Sequence, residues 1–282
     1  MTAFPSRVRL GKSGLRVAPL GVAGGYGIDE RSLLEAFERG VNYWYHGSLR
    51  GRGMRSAIRS IVASGRRSEL VVVLQSYSRW AWLLESTFTS GLKSLGIDHA
   101  DVLLLGLHNA PPSEAIIERA LRLKERGLVR HLAISAHRRA AFLEHAKQDH
   151  FDLFHVRYSA AHPGAETDLL TELPSERRPG LVAYTATRWG QLLDSKRMPA
   201  GQSPLRGRDC YRFVLSNPHF NVCMTGPRNE NELREALATM QEGPLSPEEE
   251  QRVRAIGLHV RAQRTLYQRM RAGRGAVLSG DS

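Results

Sequence analysis

A rhythm constrains this chain more than any single residue does. Eight short apolar runs recur along it, at residues 19–23, 42–45, 70–75, 102–107, 131–135, 153–156, 181–184 and 222–225. Amphipathic stretches of roughly 10 to 15 residues separate most of them, the spacing of βα units in a parallel sheet. Strands covered on both faces read as continuous apolar runs rather than alternating ones. The intervening segments predict helices at 31–39, 54–63, 84–95, 113–126, 140–147, 165–173, 211–215 and 230–240, and a last one from Pro247. Asp29 and Ser113 stand where helix N-caps belong, and Pro247 follows Ser246 as a first helical residue. The α/β class follows, with a (β/α)8 TIM barrel as the leading architecture. A doubly wound open sheet is the rival. No Gly-x-Gly-x-x-Gly follows the first run, which weakens it. Residues 7–18 read as an N-terminal β-hairpin around Gly11-Lys12-Ser13-Gly14. One domain is expected over 1–282, with an extra basic C-terminal helix at 247–274 and a disordered tail at 275–282.

With 41% hydrophobic residues in 282, the chain can bury one large core. No apolar run reaches the roughly 18 residues of a membrane span. No basic segment leads into an apolar stretch at the N-terminus, so a cytoplasmic location is expected. Cys210 and Cys223 are expected to be two buried thiols. The net charge of +12 would suit nucleic acid or an anionic surface. The basic residues are scattered, however. The densest run, Arg252, Arg254, Arg261, Arg264, Arg269, Arg271 and Arg274, follows Glu248, Glu249 and Glu250 as helix-dipole complementarity favours. A solvated helix face is expected there, with no nucleic-acid partner and no membrane. His137 and His162 lack metal-ligand spacing, so no metal site is expected.

Residues 40–53 read Gly-Val-Asn-Tyr-Trp-Tyr-His-Gly-Ser-Leu-Arg-Gly-Arg-Gly. They resemble the second-strand signature of the aldo-keto reductases, Gly-x-Asn-Phe-Phe-Asp-Thr-Ala followed by Tyr-Gly-x-Gly. Residues 10–21, 90–101, 127–135 and 212–229 resemble further segments of that family in the same order. The resemblance implies a barrel, a small-molecule ligand and NADP as cofactor. It also implies carbonyl reduction by hydride transfer, with a tyrosine hydroxyl as proton donor tuned by a lysine and an aspartate, and a histidine orienting the substrate.

All four of those positions are replaced. Tyr45 stands for the aspartate, Arg50 for the tyrosine, Gln75 for the lysine and Gly106 for the histidine. A guanidinium donates no proton near neutral pH. Tyr45 and Gln75 remove both partners of a charged pair together, which avoids stranding one buried charge. Tyr45 adds bulk where Gly106 removes it, so the phenol is expected to fill the histidine's space. Strand alternation sets Val41, Tyr43 and Tyr45 on one face and Asn42, Trp44 and His46 on the other. The remaining candidates for chemistry are Tyr45, with Arg50 to lower its pKa or hold an anion, Gln75, and His108 in the loop after the fourth barrel strand. Tyr77, Trp80 and Trp82 form a candidate substrate wall suited to a flat apolar ligand.

By the same resemblance, Ser135, His155 and Tyr184 would meet a nicotinamide ring. Gly226, Arg228 and Asn229 would form a phosphate-binding turn at a helix N-terminus. Ala136 and Ala236 replace two of the family's asparagines, which implies weak NADP binding. Three readings stand. One is a barrel with ordinary reduction disabled that binds a small organic molecule, with or without NADP, and is open to non-redox or altered redox chemistry. Another is an NADP-dependent oxidoreductase using Tyr45 or His108 as substitute acid. The third is a non-catalytic regulatory or interaction protein.

Overall fold

The computed structural model describes residues 3–47 and 51–277, with side chains up to residue 263. After a two-stranded hairpin, β1 (Val8–Arg9) and β2 (Arg16–Val17), the apolar runs form β3 (Leu20–Ala23), β4 (Tyr43–His46), β5 (Val71–Ser76), β6 (Ala100–Leu105), β7 (Val129–Ala136), β8 (Leu153–Arg157), β9 (Gly180–Tyr184) and β10 (Val222–Thr225). These eight pair in parallel and close into a barrel in the order β10-β3-β4-β5-β6-β7-β8-β9. In this register Tyr43 lies between Gly21 and Val71, and Tyr45 between Ala23 and Val73.

Alternate residues of each strand face opposite sides. Tyr43, Val73, Val102, Leu104, Val182 and Met224 fill the bore. Trp44, Val72, Leu103, Ile134 and Phe154 face outward into the shell of helices. Trp44 packs edge-on against Phe37 and donates its indole N–H to the Val41 carbonyl at 2.9 Å. The bore is therefore a packed core rather than a channel.

The helices are α1 (Glu30–Glu38), α2 (Arg52–Ala63), α3 (Ala81–Leu95), α4 (Glu114–Glu125), α5 (Ala140–Gln148), α6 (Ala165–Asp168), α7 (Gly207–Ser216), α8 (Glu230–Glu242) and α9 (Pro247–Val277). Asp29 caps α1, accepting the Ser32 N–H at 2.9 Å. Ser113 holds the N-cap position of α4, but its side chain makes no capping bond. α6 is a single turn where 165–173 was expected. Its ladder slips, with the Leu170 N–H returning to the Ala165 carbonyl, and Leu169, Leu170 and Leu173 are all buried. α7 begins four residues earlier than expected, because the Asp209 carboxylate takes the Arg206 N–H at 2.9 Å and caps its start. Positions 275–277, expected in a disordered tail, are helical; positions 278–282 lie outside the described residues.

The hairpin lies against the N-terminal end of the barrel. Leu10 and Val17 join the bore core, the Lys12 N–H bonds the Arg178 carbonyl, and the Asn42 side chain accepts the Ala18 N–H at 3.0 Å. Asn42 of the 40–53 segment thus ties hairpin to barrel. The opposite, C-terminal end is left for function.

Candidate functional site at the barrel mouth

The bore closes below the mouth. β4 and β8 stand opposite each other in the ring, and the Tyr43 hydroxyl meets His155 Nε2 at 2.8 Å across it. Both residues are buried. Burial drives the His155 pKa down to about 3 and raises that of Tyr43, so the pair is neutral at pH 7. His46 lies on the outward face of β4, where burial and then Arg55 of α2 lower its pKa.

Tyr45 sits one layer above. Its ring centroid is 6.4 Å from that of His155. Burial raises its pKa, and the neighbouring Tyr77 phenol raises it further. Its hydroxyl stands over Gly47, where a Cβ would approach it to 2.2 Å. The space beside Gly106 belongs to other groups. A Cβ there would lie 2.3 Å from Gln75 Nε2 and 2.7 Å from carbons of the Tyr77 ring. The histidine's volume is therefore taken by Gln75 and Tyr77, not by Tyr45 as expected. The reason is reach: β6 ends at Leu105, and Gln75 on the adjacent strand β5, with Tyr77 in the loop after it, come closest to the turn. Gln75 Oε1 is buried without a hydrogen-bond partner among the described residues. Arg50 lies outside the described residues.

His108 is not brought to Tyr45. Its N–H bonds the Ser135 carbonyl at 2.7 Å, and its carbonyl meets His145 Nε2 at 3.1 Å. Burial first, then Arg79 and His145, lower its pKa to about 4. It lines a separate cavity of about 420 Å³ with Arg79 and the start of α4, and neither Tyr45 nor Gln75 lines that cavity.

The residues matched to a cofactor site have internal partners. Ser135 Oγ accepts the Leu107 N–H at 3.0 Å. The Tyr184 hydroxyl donates to the Ala136 carbonyl at 3.3 Å, and burial pushes its pKa up to about 12. Glu232 Oε2 accepts the Arg228 N–H at 2.9 Å, while Oε1 takes the Arg228 guanidinium at 2.7 Å. Asn229 caps α8 by accepting the Glu232 N–H at 3.0 Å. The Tyr26 ring covers Gly226, where a Cβ would lie 2.6 Å from it. A carboxylate of the chain itself thus sits where the resemblance would put a phosphate.

Around the mouth stands an exposed aromatic rim. Tyr77, Trp80 and Trp82, in and after the loop following β5, are 53%, 63% and 68% exposed. Tyr26 after β3 (48%) and Trp189 after β9 (70%) complete it. These two and Glu232 escaped the sequence reading. The signal for Tyr26 and Trp189 was available: each is a large aromatic beside glycine just beyond a barrel strand, where barrel sites are built.

No family model and no curated protein matches the sequence. Among solved structures, the aldo-keto reductase AKR11C1 from Bacillus halodurans is similar in both forms. The apo form aligns at TM-score 0.70 and 20% identity, and the holo form at 0.73 and 19%. Each alignment covers 89% of this chain and 95% of the other. The barrel, its hairpin and its surrounding helices therefore have the aldo-keto reductase fold.

Proposed function

We propose that this barrel has lost carbonyl reduction and binds a flat organic molecule against the aromatic rim of its mouth. The observation that carries the reading is the packing at Gly106. Gln75 and Tyr77 fill the space of the orienting histidine, and no charged group among the described residues replaces the proton-donating set. A general acid works best with a pKa near the working pH. Burial moves Tyr45 away from that range, and His108 is neutral and turned to another cavity. Substitute-acid chemistry finds no support in either residue.

The dinucleotide positions do not fit the cofactor as the resemblance implies. To bind a phosphate, Arg228 would have to exchange the Glu232 carboxylate for it, and Tyr26 would have to leave Gly226. Losing one charge-assisted phosphate contact costs roughly 2 kcal/mol, more than tenfold in affinity. NADP binding is accordingly weak. The exposed rim offers flat faces instead, the surface that planar ligands stack on.

Fluorescence titration with NADPH, followed by assay against a panel of aldehydes and ketones, tests the reading. The expected result is weak quenching and no NADPH consumption. Turnover that is abolished by Tyr45→Phe would overturn it in favour of a working reductase. The binding half is checked by quenching of rim tryptophan fluorescence with planar aromatic compounds. Trp80→Ala and Trp189→Ala should reduce that quenching, and an unchanged titration in both would remove the rim from the site.

A further inference from the structure

At the floor of the mouth stands an arginine that no carboxylate of the described residues answers. Arg157 is the last residue of β8. Alternation along that strand puts it on the bore face, above His155, while Phe154 and Val156 face the helices. In register it stands beside Tyr184 of β9, one strand spacing of about 4.8 Å away. The guanidinium acts on two neighbours. After burial it is the next influence lowering the His137 pKa, and it offsets part of what burial does to Tyr184. It makes no hydrogen bond and no ion pair with a described residue. Arg157 is half-buried, and its nitrogens keep open surface, since none of them is sealed inside the protein.

The acids at this end of the barrel are committed elsewhere. The segments running from β4, β5, β6 and β7 to the next helix contain no Asp or Glu. Beyond β3, Asp29 caps α1. Beyond β8, Glu166 pairs with Arg254 and Asp168 with Arg139. Beyond β9, Asp194 pairs with Arg197, and beyond β10 Glu232 holds Arg228. Arg79 and Arg138 add positive charge in loops at the same end. A cleft lined by charge of one sign concentrates ligands of the other. Flat surfaces surround the cation. Tyr26, Tyr77 and Tyr184 all lie near enough to Tyr45 to raise its pKa, and Trp189 projects from the loop after β9. Such rings stack on planar molecules, and a guanidinium grips a carboxylate or phosphate through paired N–H groups.

We infer that the flat ligand of the mouth is an aromatic acid, an assignment that rests on the ligand site proposed there. Its carboxylate or phosphate pairs with Arg157, and its ring lies against Tyr184 and the rim. A guanidinium releases no proton near neutral pH, so Arg157 selects the ligand and takes no part in proton transfer.

Isothermal titration of the full chain with naphthoate, naphthyl phosphate and neutral naphthalenemethanol tests this. At least one anion should bind about tenfold more tightly than the alcohol, the gain expected of a charge-assisted pair. The tighter anion identifies the head group. Arg157→Gln should remove that gain and still bind the alcohol as the wild type does, which also shows that the variant folds. Arg157→Glu should reject both anions and take naphthylmethylammonium instead, a result that misfolding cannot give. Equal wild-type binding of all three compounds would overturn the assignment and leave the flat-ligand site standing. So would equal weakening of anion and alcohol in Arg157→Gln. Failure of all three to bind the wild type would remove the site itself.

Discussion

A single methyl group at residue 106 would report how the mouth is packed. Gln75 and Tyr77 crowd the Cβ position from two sides; Gln75 meets it with the amide at the end of its flexible side chain, so the stiffer obstacle is the Tyr77 ring, which packs beside Tyr45. Gly106→Ala should therefore destabilise the fold by about 1–3 kcal/mol, the usual cost of overpacking. In a Gln75→Ala background the cost should fall by at least about 0.5 kcal/mol, because the two positions share one volume. Urea denaturation of the four proteins measures the coupling; strict additivity would mean the groups do not touch. The exchange at 45, 75 and 106 was legible as a set, because removed charges and removed volume must balance. Which side chain fills the gap was not legible. That depends on where β6 stops, and a strand end is set by pairing with its neighbours rather than by its own residues.

The bond between Tyr43 and His155 joins two opposite strands, so its effects belong to the elements it links. Tyr43→Phe leaves a buried ring nitrogen unpaired and should cost about 1–3 kcal/mol. The pH dependence is separate, since burial rather than the phenol lowers the His155 pKa. Unfolded, His155 and His108 titrate near 6.5; folded, they titrate near about 3 and about 4. Below pH 6.5 the unfolded chain binds more protons, so stability present at neutral pH is lost as pH falls. The slope should be about 1.4 kcal/mol per pH unit for each histidine. Carboxylates with lowered pKa values, such as Glu85 beside Arg126 and Arg119, add to the loss only at lower pH. Denaturant midpoints between about pH 7 and pH 5 report the histidines as a group, since burial also lowers the pKa values of His46, His137, His145 and His219. His155→Gln and His108→Gln separate the two named rings by the slope each removes. A flat profile there would show that both rings are solvated, and Tyr43→Phe should keep the wild-type slope. The alternation along β4 foretold that Tyr43 and Tyr45 share the bore. That the Tyr43 phenol finds His155 on the far side was hidden, because the two are brought together only when the sheet closes.

Barrel closure was legible because it rests on rhythm, and rhythm survives when individual side chains are exchanged. What holds α9 against the closed barrel was less so, although Ser246-Pro247-Glu248-Glu249 carries the pattern of a capping box. The structure gives Glu249 two tasks. Its carboxylate accepts the Ser246 N–H at 2.8 Å while the Glu249 N–H returns to Ser246 Oγ at 3.2 Å. The same carboxylate receives both Nη groups of Arg212, a buried residue of α7, at 2.8 and 2.7 Å. Arg212 also donates to the carbonyls of Gly243 and Pro244, so the turn between α8 and α9 is pinned to α7. Removing the carboxylate strands a buried guanidinium, which costs about 3–5 kcal/mol when no replacement partner exists. Glu242 Oε2, 3.7 Å from Arg212 Nη1, is close enough to recover part of that. Glu249→Ala should thus cost about 2–3 kcal/mol, and Glu249→Gln, which keeps the capping oxygen, clearly less. Hydrogen exchange should locate the loss: amides of 247–263 speed up in Glu249→Ala while those of β5 to β7 hold. Uniform acceleration across the barrel would instead make α9 part of the cooperative core, and the clamp a condition for folding the whole molecule rather than for seating its last helix.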